Sequence, residues 1–527
     1  ELVERDAMLL VEHSRMATLL GLVHRLPARR LVDRPRLQIA IAWAHCLTHH
    51  PEGVHRALAC VEDYLQRHVD DTVTNEDLFV EAQLVRGTNE AYADHMTSIE
   101  ALVQPSLEDA EKRRPWIVSV AANVLSYRFI YSAQFEQARA LQAWARKFHE
   151  RTTGPFSGVY GLCLSAMAAI RQCDLDAAAA FLREALDLAG SGTGRHSHAA
   201  RLAAALWGQI QYERNELPEA ERLLEESRAL GAEGGVVDFS TATYVTLVRL
   251  RAEAGDAAKA HELLDEGLGT AHRLGFERLT AALDAERVRL YLRAGDIWRA
   301  QQTVDAKAPG GEARSAEMLA QVHEYRALSQ ARIKYARGDF AAAVASLRKL
   351  VADAHADERR MTEVTLQLPL ARALDGLGDQ TAARTVLAAV VEVGARQGLV
   401  RSFLDEDLLP LLVHLRDSVR HGTTATLSNA ATHHLDCLIA AGAGDKSHAE
   451  STRISVTKDS RLVEPLTERE LQIARMLTDG CSNKEIADKL GIAVNTVKWY
   501  LKGLYSKLSV RRRTQAVAEV KRLGLIE

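Results

Sequence analysis

The sequence predicts an all-α protein in which a superhelical α-solenoid of about 40-residue helix-turn-helix repeats is followed by a small four-helix domain. Three observations lead to this prediction. Aromatic residues are only 5% of the 527 residues, and Ala, Leu and Arg dominate, which favours helices over strands. A short turn phrase ending in Ala recurs at a steady period, and residues 466–527 carry closely spaced signals for helix starts and stops.

Composition excludes several classes of protein. Apolar residues are 47% and charged residues 26%, which is typical of a chain with ample core, and the length suffices for three or four domains. The six Cys form no C-x-x-C pair, so we expect neither a disulfide framework nor a Cys zinc site, and we expect a cytoplasmic location. No run of 18 apolar residues and no signal pattern occurs, which argues against membrane insertion and secretion.

The repeat phrase is seen in SAQFEQA, QCDLDAA, RNELPEA, AGDAAKA, AGDIWRA, RGDFAAA and LGDQTAA. These phrases end at Ala138, Ala178, Ala220, Ala260, Ala300, Ala343 and Ala383, at spacings of 40 to 43 residues. An earlier phrase ends at Ala57, which leaves room for one degenerate repeat around residues 76–103. Because a single helix pair cannot bury both apolar faces, we expect the pairs to stack into a superhelix.

One unit illustrates the helix-turn-helix prediction. Residues 281–293 place apolar side chains at helical spacing, and Gly295 can adopt the left-handed conformation that ends a helix. Asp296 can accept the first amides of the next helix, which is expected to begin near Ile297. Ala300 then lies where only a small side chain lets two helices approach closely. The unit resembles a tetratricopeptide-type repeat, lengthened beyond the usual 34 residues.

These patterns divide the chain into five parts. Residues 1–34 are expected to be a helical lead-in, 35–405 the tetratricopeptide-like solenoid and 406–440 a helical end segment. Residues 441–461 are rich in Gly, Ser and charge without an apolar period, which predicts a flexible linker, and 462–527 form the last domain. The linker contains GAGDKS, but a phosphate-binding loop needs a further Gly and a preceding strand, so no nucleotide site is expected there.

The C-terminal domain carries two capping boxes, Thr467 with Glu470 and Ser482 with Glu485, which predict the starts of two helices. Ala487, Gly491 and Val497 then have the spacing of a helix-turn-helix. The third helix buries an apolar stripe and has polar and cationic residues on its opposite face. The stripe is Val497, Leu501, Leu504 and Leu508, and the opposite face is Asn495, Lys498, Trp499 and Lys502.

Charge supports the same interpretation. Residues 461–527 carry 13 Lys and Arg against 8 Asp and Glu, a surplus of +5, whereas the preceding 460 residues carry −9. A small basic domain on an acidic body is typical of a module that binds a polyanion. A helix that is apolar behind and cationic in front suits the DNA major groove.

LTERE, SNKEIADKLGI, NTVKWYLKGLYSKLSV and RTQAVAEVKRLGLI resemble the DNA-binding domain of LuxR-type bacterial transcriptional regulators over about 62 residues. With the repeats and VRSFLDED, the chain resembles the large ATP-dependent, maltose-activator-like subgroup. The resemblance implies a transcriptional regulator, with activation the expected direction, that binds double-stranded promoter DNA, recruits RNA polymerase, responds to a small-molecule inducer or regulatory protein, and self-associates. It implies that Lys498, Trp499 and Lys502 of the third helix read bases, while Asn495 and Thr496 lie near the DNA backbone. Ser482, Asn483 and Lys484 open the second helix, where amides and the helix dipole can hold a phosphate, and Arg511, Arg512 and Arg513 are further candidates for phosphate contacts.

Other interpretations stay open. Trp499 could pack on a protein surface, and the three arginines could serve only to keep their loop soluble. The His clusters (His45, His49, His50 and His55; His196 and His198; His433 and His434) lack the four-residue spacing with a carboxylate partner that a helix-borne zinc site needs, and His45 and His49 have the spacing alone. No catalytic constellation or cofactor is expected in these residues. The repeats could chiefly be a protein-interaction scaffold that holds DNA binding off. Finally, the chain could be the C-terminal part of a signal-transduction ATPase, in which ATP binds a missing upstream domain.

Overall fold

The computed structural model describes residues 2–27, 31–68, 72–192, 197–229, 231, 235–306, 316–422, 427–455, 468–478 and 481–490, and residues 497, 501, 513 and 516 singly. Across these residues every regular element is helical, so the all-α prediction is confirmed. None of the helices in this part of the chain is long and apolar enough to cross a bilayer. The chain divides into two compact units, residues 1–443 and 444–527, which are taken one at a time below.

The first unit begins with two lead-in helices, α1 Leu2–Glu12 and α2 Met16–His24. Nine helix pairs follow in the described part of this unit. Their bounds are α3 Pro35–Leu47 and α4 Pro51–Arg67; α5 Thr72–Tyr92 and α6 Ile99–Leu107; α7 Pro115–Tyr131 and α8 Phe135–His149; α9 Phe156–Arg171 and α10 Leu175–Gly192; α11 His198–Glu213 and α12 Leu217–Ala229; α13 Val237–Glu253 and α14 Ala257–Leu274; α15 Glu277–Arg293 and α16 Ile297–Asp305; α17 Ala316–Ala336 and α18 Phe340–Ala356; α19 Arg360–Leu377 and α20 Gln380–Gln397. The degenerate repeat expected around 76–103 is the pair α5 and α6.

The turn phrases fold in the predicted way. In each of the seven phrases, the residue five positions before the final Ala adopts the left-handed conformation, with φ between 57° and 90°. These residues are Ala133, Cys173, Asn215, Gly255, Gly295, Gly338 and Gly378. At the example unit the Asp296 side chain accepts a hydrogen bond from the Arg299 amide at 2.9 Å, so Asp296 caps α16 as expected.

The closing alanines of the phrases are buried, with at most 2% of each side chain exposed at Ala138, Ala178, Ala220, Ala260, Ala300, Ala343 and Ala383. A small side chain at each of these positions lets the second helix of a pair lie close to its neighbours. The period found in the sequence is therefore the period of close helix contact in the structure.

The array also makes contacts that its repeat pattern does not predict. The Arg278 Nε lies 2.8 Å from the Asp94 carboxylate, 184 residues earlier, and the Leu175 amide donates to Gln397, 222 residues later. Likewise the Ser402 amide donates to the Glu213 carboxylate at 3.0 Å. These separations correspond to about five repeats. The superhelix therefore touches itself after one turn, which closes a lumen lined by the first helices of the pairs.

Three further helices follow the repeats: α21 Arg401–Asp405, α22 Leu409–Arg420 and α23 Asn429–Ser455. The last of these corrects the sequence analysis, because residues 441–455 of the expected flexible linker are helical. The segment is free of Pro and contains Ala, Glu, Lys and Arg, so it extends a helix already nucleated by the buried Leu435 and Leu438. Residues 456–461 of the expected linker lie outside the described residues.

The GAGDKS sequence lies inside α23, where its backbone is helical. A phosphate-binding loop needs backbone amides that are free to point at the phosphate, so this segment does not fit a nucleotide. In the second unit the structure describes α24 Glu468–Thr478 and α25 Asn483–Leu490, and residues 497, 501, 513 and 516 are also helical.

Candidate nucleic-acid interface and lumenal cavity

The C-terminal unit has a compact apolar core. Its described core residues are at most 5% exposed and comprise Ile473, Ala474 and Leu477 of α24, Ile486 and Ala487 of α25, and Val497, Leu501 and Ala516. Burial of Ala487, Val497 and Leu501 agrees with the helix-turn-helix spacing and with the first half of the predicted stripe. Leu504 and Leu508 lie outside the described residues.

The start of α25 is formed by the predicted capping box. The Ser482 amide donates to Glu485 Oε2 at 2.6 Å, and the Glu485 amide donates to Ser482 Oγ at 3.3 Å. The hydrogen bonds from Ser482 lower the pKa of Glu485, because they favour its charged form. The helix therefore begins at a defined residue and presents its positive dipole end there.

Arg513 braces the same helix start. Its Nη2 donates to the Cys481 carbonyl oxygen at 2.5 Å, and its Nη1 donates to Asn483 Oδ1 at 3.4 Å. Arg513 is half-buried, so the side chain predicted to reach DNA also ties two parts of its own domain together. The sequence suggested a DNA contact or a solubility role here, and it carried no signal for this intramolecular bond.

Of the other predicted DNA contacts, Ser482 and Lys484 are exposed at the α25 start and Asn483 is half-buried beside them. The structure thus brings Ser482, Asn483, Lys484 and Arg513 to one place. Asn495, Thr496, Lys498, Trp499, Lys502, Arg511 and Arg512 lie outside the described residues, and their DNA contacts stay predictions. Thr467 of the first capping box also lies outside them, as does Gly491 of the helix-turn-helix spacing.

A second candidate site lies in the repeat array. The superhelix encloses a cavity of about 290 Å³, here called the lumenal cavity. Its wall is built from the first helices of six successive pairs, α9, α11, α13, α15, α17 and α19, and from α21. Its charged wall residues are Arg171, Arg249, Arg278, Arg289 and Arg332 with Glu213, Asp238, Glu286, Glu324, Asp405 and Glu406.

Most of these charges are paired. Arg249 Nε donates to Glu286 at 2.9 Å, and Arg332 pairs with Glu406. Arg249 and Arg289 together hold the pKa of Glu286 well below its usual range, although burial acts in the opposite direction. Charges this deep are tolerated only when they are paired and hydrogen-bonded, so the pairs define a rigid polar wall.

α21 closes this wall against α11. The buried Arg401 pairs with Asp405 at 3.2 Å, and the Tyr212 hydroxyl donates to the same carboxylate at 2.9 Å. Next to them Glu213 accepts hydrogen bonds from both the amide and the hydroxyl of Ser402. Burial raises the pKa of Glu213 to about 7, against the effect of these hydrogen bonds. Glu213 is therefore a lumenal group that titrates near neutral pH.

The sequence analysis nominated none of these lumenal residues. One sequence pattern could have indicated them, namely opposite charges at helical spacing among apolar residues. Glu286 and Arg289, three positions apart and next to the buried Val288, are an example. That pattern also fits a solvated helix face, which is why it was not decisive.

The His clusters have varied surroundings. His49 stacks on Tyr92, packs edge-on against Phe276 and donates from Nε2 to the Gly235 carbonyl oxygen at 3.1 Å. Its burial lowers its pKa to about 4, which keeps the imidazole neutral. His434 donates to the Leu399 carbonyl oxygen. No group of three or more His, Cys, Asp or Glu side chains suited to a metal ion occurs within the described ranges.

An array of helix pairs followed by a helix-turn-helix unit defines a regulator of the LuxR class. Residues 80–418 match the family described as the MalT-like TPR region, and residues 464–520 match the bacterial regulatory proteins of the luxR family. The first match covers more than half of the chain. The chain therefore belongs to the MalT-like subgroup of LuxR-type regulators, and the resemblance noted in the sequence is confirmed.

Individual relatives match different shares of this chain. Serine/threonine-protein kinase PknK of Mycobacterium tuberculosis (strain CDC 1551 / Oshkosh) is 38% identical over 275 residues, 52% of this chain and 25% of the relative. HTH-type transcriptional regulator AlkS of Ectopseudomonas oleovorans is 27% identical over 31% of this chain and 17% of the relative. MalT of Yersinia pestis (strain Pestoides F) is 42% identical over 59 residues, 11% of this chain and 6% of the relative. The matched part of this chain spans only about a quarter of the kinase's length.

Among solved structures, a Rap protein complexed with competence and sporulation factor shares the fold. It superposes with a TM-score of 0.50 at 11% identity and covers 69% of this chain and 99% of its own. At this identity the similarity concerns the fold alone.

Proposed function

We propose that this chain binds double-stranded promoter DNA through its C-terminal unit and regulates transcription in response to a signal received by the repeats. The observation that carries the proposal is the α25 start. There a luxR-family match coincides with a formed capping box and with exposed Ser482 and Lys484. Backbone amides at a helix start and adjacent cations hold a phosphate, which positions the following helix on the duplex.

The test is titration of the full chain onto genomic DNA fragments at two salt concentrations, beside a Lys498→Ala/Lys502→Ala variant. The matched control is Lys112→Ala/Lys259→Ala, which removes the same charge from exposed positions of the repeat array. Selective binding that the first variant loses and the control keeps supports the proposal. Each lost phosphate contact lowers the log–log salt slope by about 0.9. Equal, salt-sensitive binding by all three proteins contradicts sequence reading.

The proposal extends to the partners. We place the protein in the bacterial cytoplasm, self-associated on paired half-sites and in contact with RNA polymerase, with activation as the direction of control. Self-association is expected because one small module buries too little surface for tight, specific binding. Its measurement is the stoichiometry of the DNA complex by analytical ultracentrifugation.

A second candidate is a scaffold whose repeats hold DNA binding off until a partner releases it. Its support is the repeat array itself, because stacked repeats form extended concave surfaces that bind partners. This candidate predicts that residues 441–527 alone bind the same DNA more tightly than the full chain. Equal affinity of the two forms contradicts it.

Catalysis is proposed to lie outside these residues. PknK is named a kinase, but the match covers only a quarter of its length, and the GAGDKS segment does not fit a nucleotide. We therefore propose that ATP, where it takes part, binds another domain of a longer protein. An ATP-hydrolysis assay on this chain should give no turnover, and turnover by the purified chain would overturn the proposal.

A further inference from the structure

Arg289 on α15 has an unusual place in the lumenal cavity. It is 5% exposed, and its Nε donates to Glu286 at 2.7 Å. Its two terminal nitrogens, Nη1 and Nη2, have no hydrogen-bond acceptor within the described part of the chain. Burying guanidinium donors without acceptors costs free energy, so these two nitrogens indicate that an acceptor belongs in the cavity.

The other four arginines of the cavity differ from Arg289. Arg278 holds Asp94 and Asp238, and Arg171 donates to the Tyr131 hydroxyl at 2.8 Å. Arg249 and Arg332 pair with glutamates through their terminal nitrogens. The acidic side chains of the wall are thus engaged elsewhere, and the Arg289 fork is left for an acceptor that the wall does not supply.

We propose that the lumenal cavity binds a small organic anion whose carboxylate or phosphate group accepts paired hydrogen bonds from Arg289 Nη1 and Nη2. Both groups present two oxygens at the spacing of the guanidinium fork. The inference rests on the proposed role of the repeats as a sensor and gives that role a ligand class. Charge-assisted hydrogen bonds of this kind are about twice as strong as those between neutral groups.

The size and lining of the cavity restrict the ligand further. A volume of about 290 Å³ lies at the lower end for small-molecule sites and is too small for a folded partner. Apolar wall residues such as Val245, Ala285 and Leu328 alternate with polar ones such as Gln209 and Thr241. The wall therefore suits a short carbon skeleton that carries an anionic end.

The site also has a path to the rest of the array. Six helix pairs and α21 share the wall, and a ligand that binds only the closed lumen stabilises that arrangement by RT ln(1 + [L]/Kd), where [L] is the free ligand concentration. Occupancy of one cavity would thus hold the helix pairs of a whole superhelical turn in register.

The test uses isothermal titration calorimetry on the full chain with three probes: succinate, its uncharged isostere succinamide, and inorganic phosphate, at ionic strength matched with NaCl. We expect succinate or phosphate to bind and succinamide not to bind. The anion that binds shows whether the natural ligand carries a carboxylate or a phosphate group. No binding by either anion up to about 10 mM, or equal binding by succinamide, overturns the proposal.

Variants locate the site. Arg289→Gln should weaken binding of the effective anion about 10- to 100-fold, and Arg289→Lys, which keeps the charge but loses the fork, should have an intermediate effect. Arg287→Gln is the matched control, because Arg287 lies on the same helix but pairs with Asp265 outside the cavity. Unchanged affinity in both Arg289 variants overturns the assignment.

DNA binding is measured on the same samples. If neither anion binds the full chain but DNA does, only the proposed ligand class is refuted. Absence of DNA binding with anion binding intact would instead refute the proposed transcriptional function.

Discussion

Arg278 and Asp94, 184 residues apart, form a buried two-point ion pair, with Nη2 to Oδ1 at 2.6 Å and Nε to Oδ2 at 2.8 Å. Both residues are at most 4% exposed. The Tyr127 hydroxyl and Asp238 contact the same guanidinium, so residues from four repeats meet at one group. In a repeat protein most energy lies between neighbouring repeats. This pair is different, because it joins repeats a full superhelical turn apart.

Breaking this pair should destabilise the repeat array strongly. We expect Arg278→Gln to lower the free energy of unfolding by about 3–5 kcal/mol, because Asp94 is left as a buried charge without its partner. Urea denaturation followed by circular dichroism measures the change. Arg146→Gln removes an exposed ion pair with Glu150 and should cost about 1 kcal/mol or less. Equal effects of the two substitutions would show that the long-range pair does not hold the superhelix closed.

The left-handed turn residues offer a stabilising substitution. Ala133 has φ of 57°, a conformation that costs an L-residue about 1 kcal/mol, so Ala133→Gly should raise stability by up to about that amount. The reciprocal change Gly295→Ala should lower it similarly. A Cβ at Gly295 would meet no atom within 4 Å, so only backbone strain is altered there. Thermal unfolding measures the two changes, which should be a gain of stability in Ala133→Gly and a loss in Gly295→Ala. A loss of stability in Ala133→Gly would contradict the role of backbone strain.

Arg513 should affect folding as well as DNA affinity. Its bonds to Cys481 and Asn483 predict that Arg513→Gln destabilises the C-terminal unit by about 1–2 kcal/mol. Thermal unfolding of residues 444–527 and DNA titration at low temperature separate the two effects. Arg511→Gln, two positions earlier in the sequence, is the comparison variant. If Arg513→Gln weakens DNA binding without changing stability, the intramolecular bonds are energetically unimportant.

Glu213 should make the stability of the array depend on pH. Its pKa is about 7 in the folded protein and 4.5 ordinarily, so the folded state binds more protons between these values. The contribution of Glu213 to the free energy of unfolding is therefore fully present below pH 4.5. It falls as pH rises towards 7, by at most about 1.4 kcal/mol per pH unit.

Glu213→Gln removes the titrating group while keeping an acceptor for Ser402. We expect this variant to be more stable than the parent protein at pH 8 and to show a flatter profile between pH 5 and 7. Denaturant midpoints across this range provide the measurement. Parallel profiles for the two proteins would assign the pH dependence to other groups.

Local features of the fold were predictable because each depends on a few adjacent residues. The turn at Gly295 and Asp296 needs only a residue that tolerates positive φ and a side chain that caps the next helix. The Ser482 and Glu485 capping box is equally local, and the structure forms both. The prediction of a flexible linker was wrong over residues 441–455 for a related reason. Helix propagation from residues 429–440, which the buried Leu435 and Leu438 anchor, outweighed the Gly and Ser content, and composition alone does not show that balance.

By itself, the sequence determined the helical class, the 40-residue period, the turn positions and the luxR-type module, because all of these follow from spacing along the chain. Only the tertiary structure decided which repeats meet across the lumen, how Arg278 pairs with Asp94, and that the two terminal nitrogens of Arg289 have no acceptor among the described residues. The physical reason is that superhelical closure sums small rotations over about five repeats. No local pattern specifies that sum, and the charged groups acquire their partners only once the turn is complete.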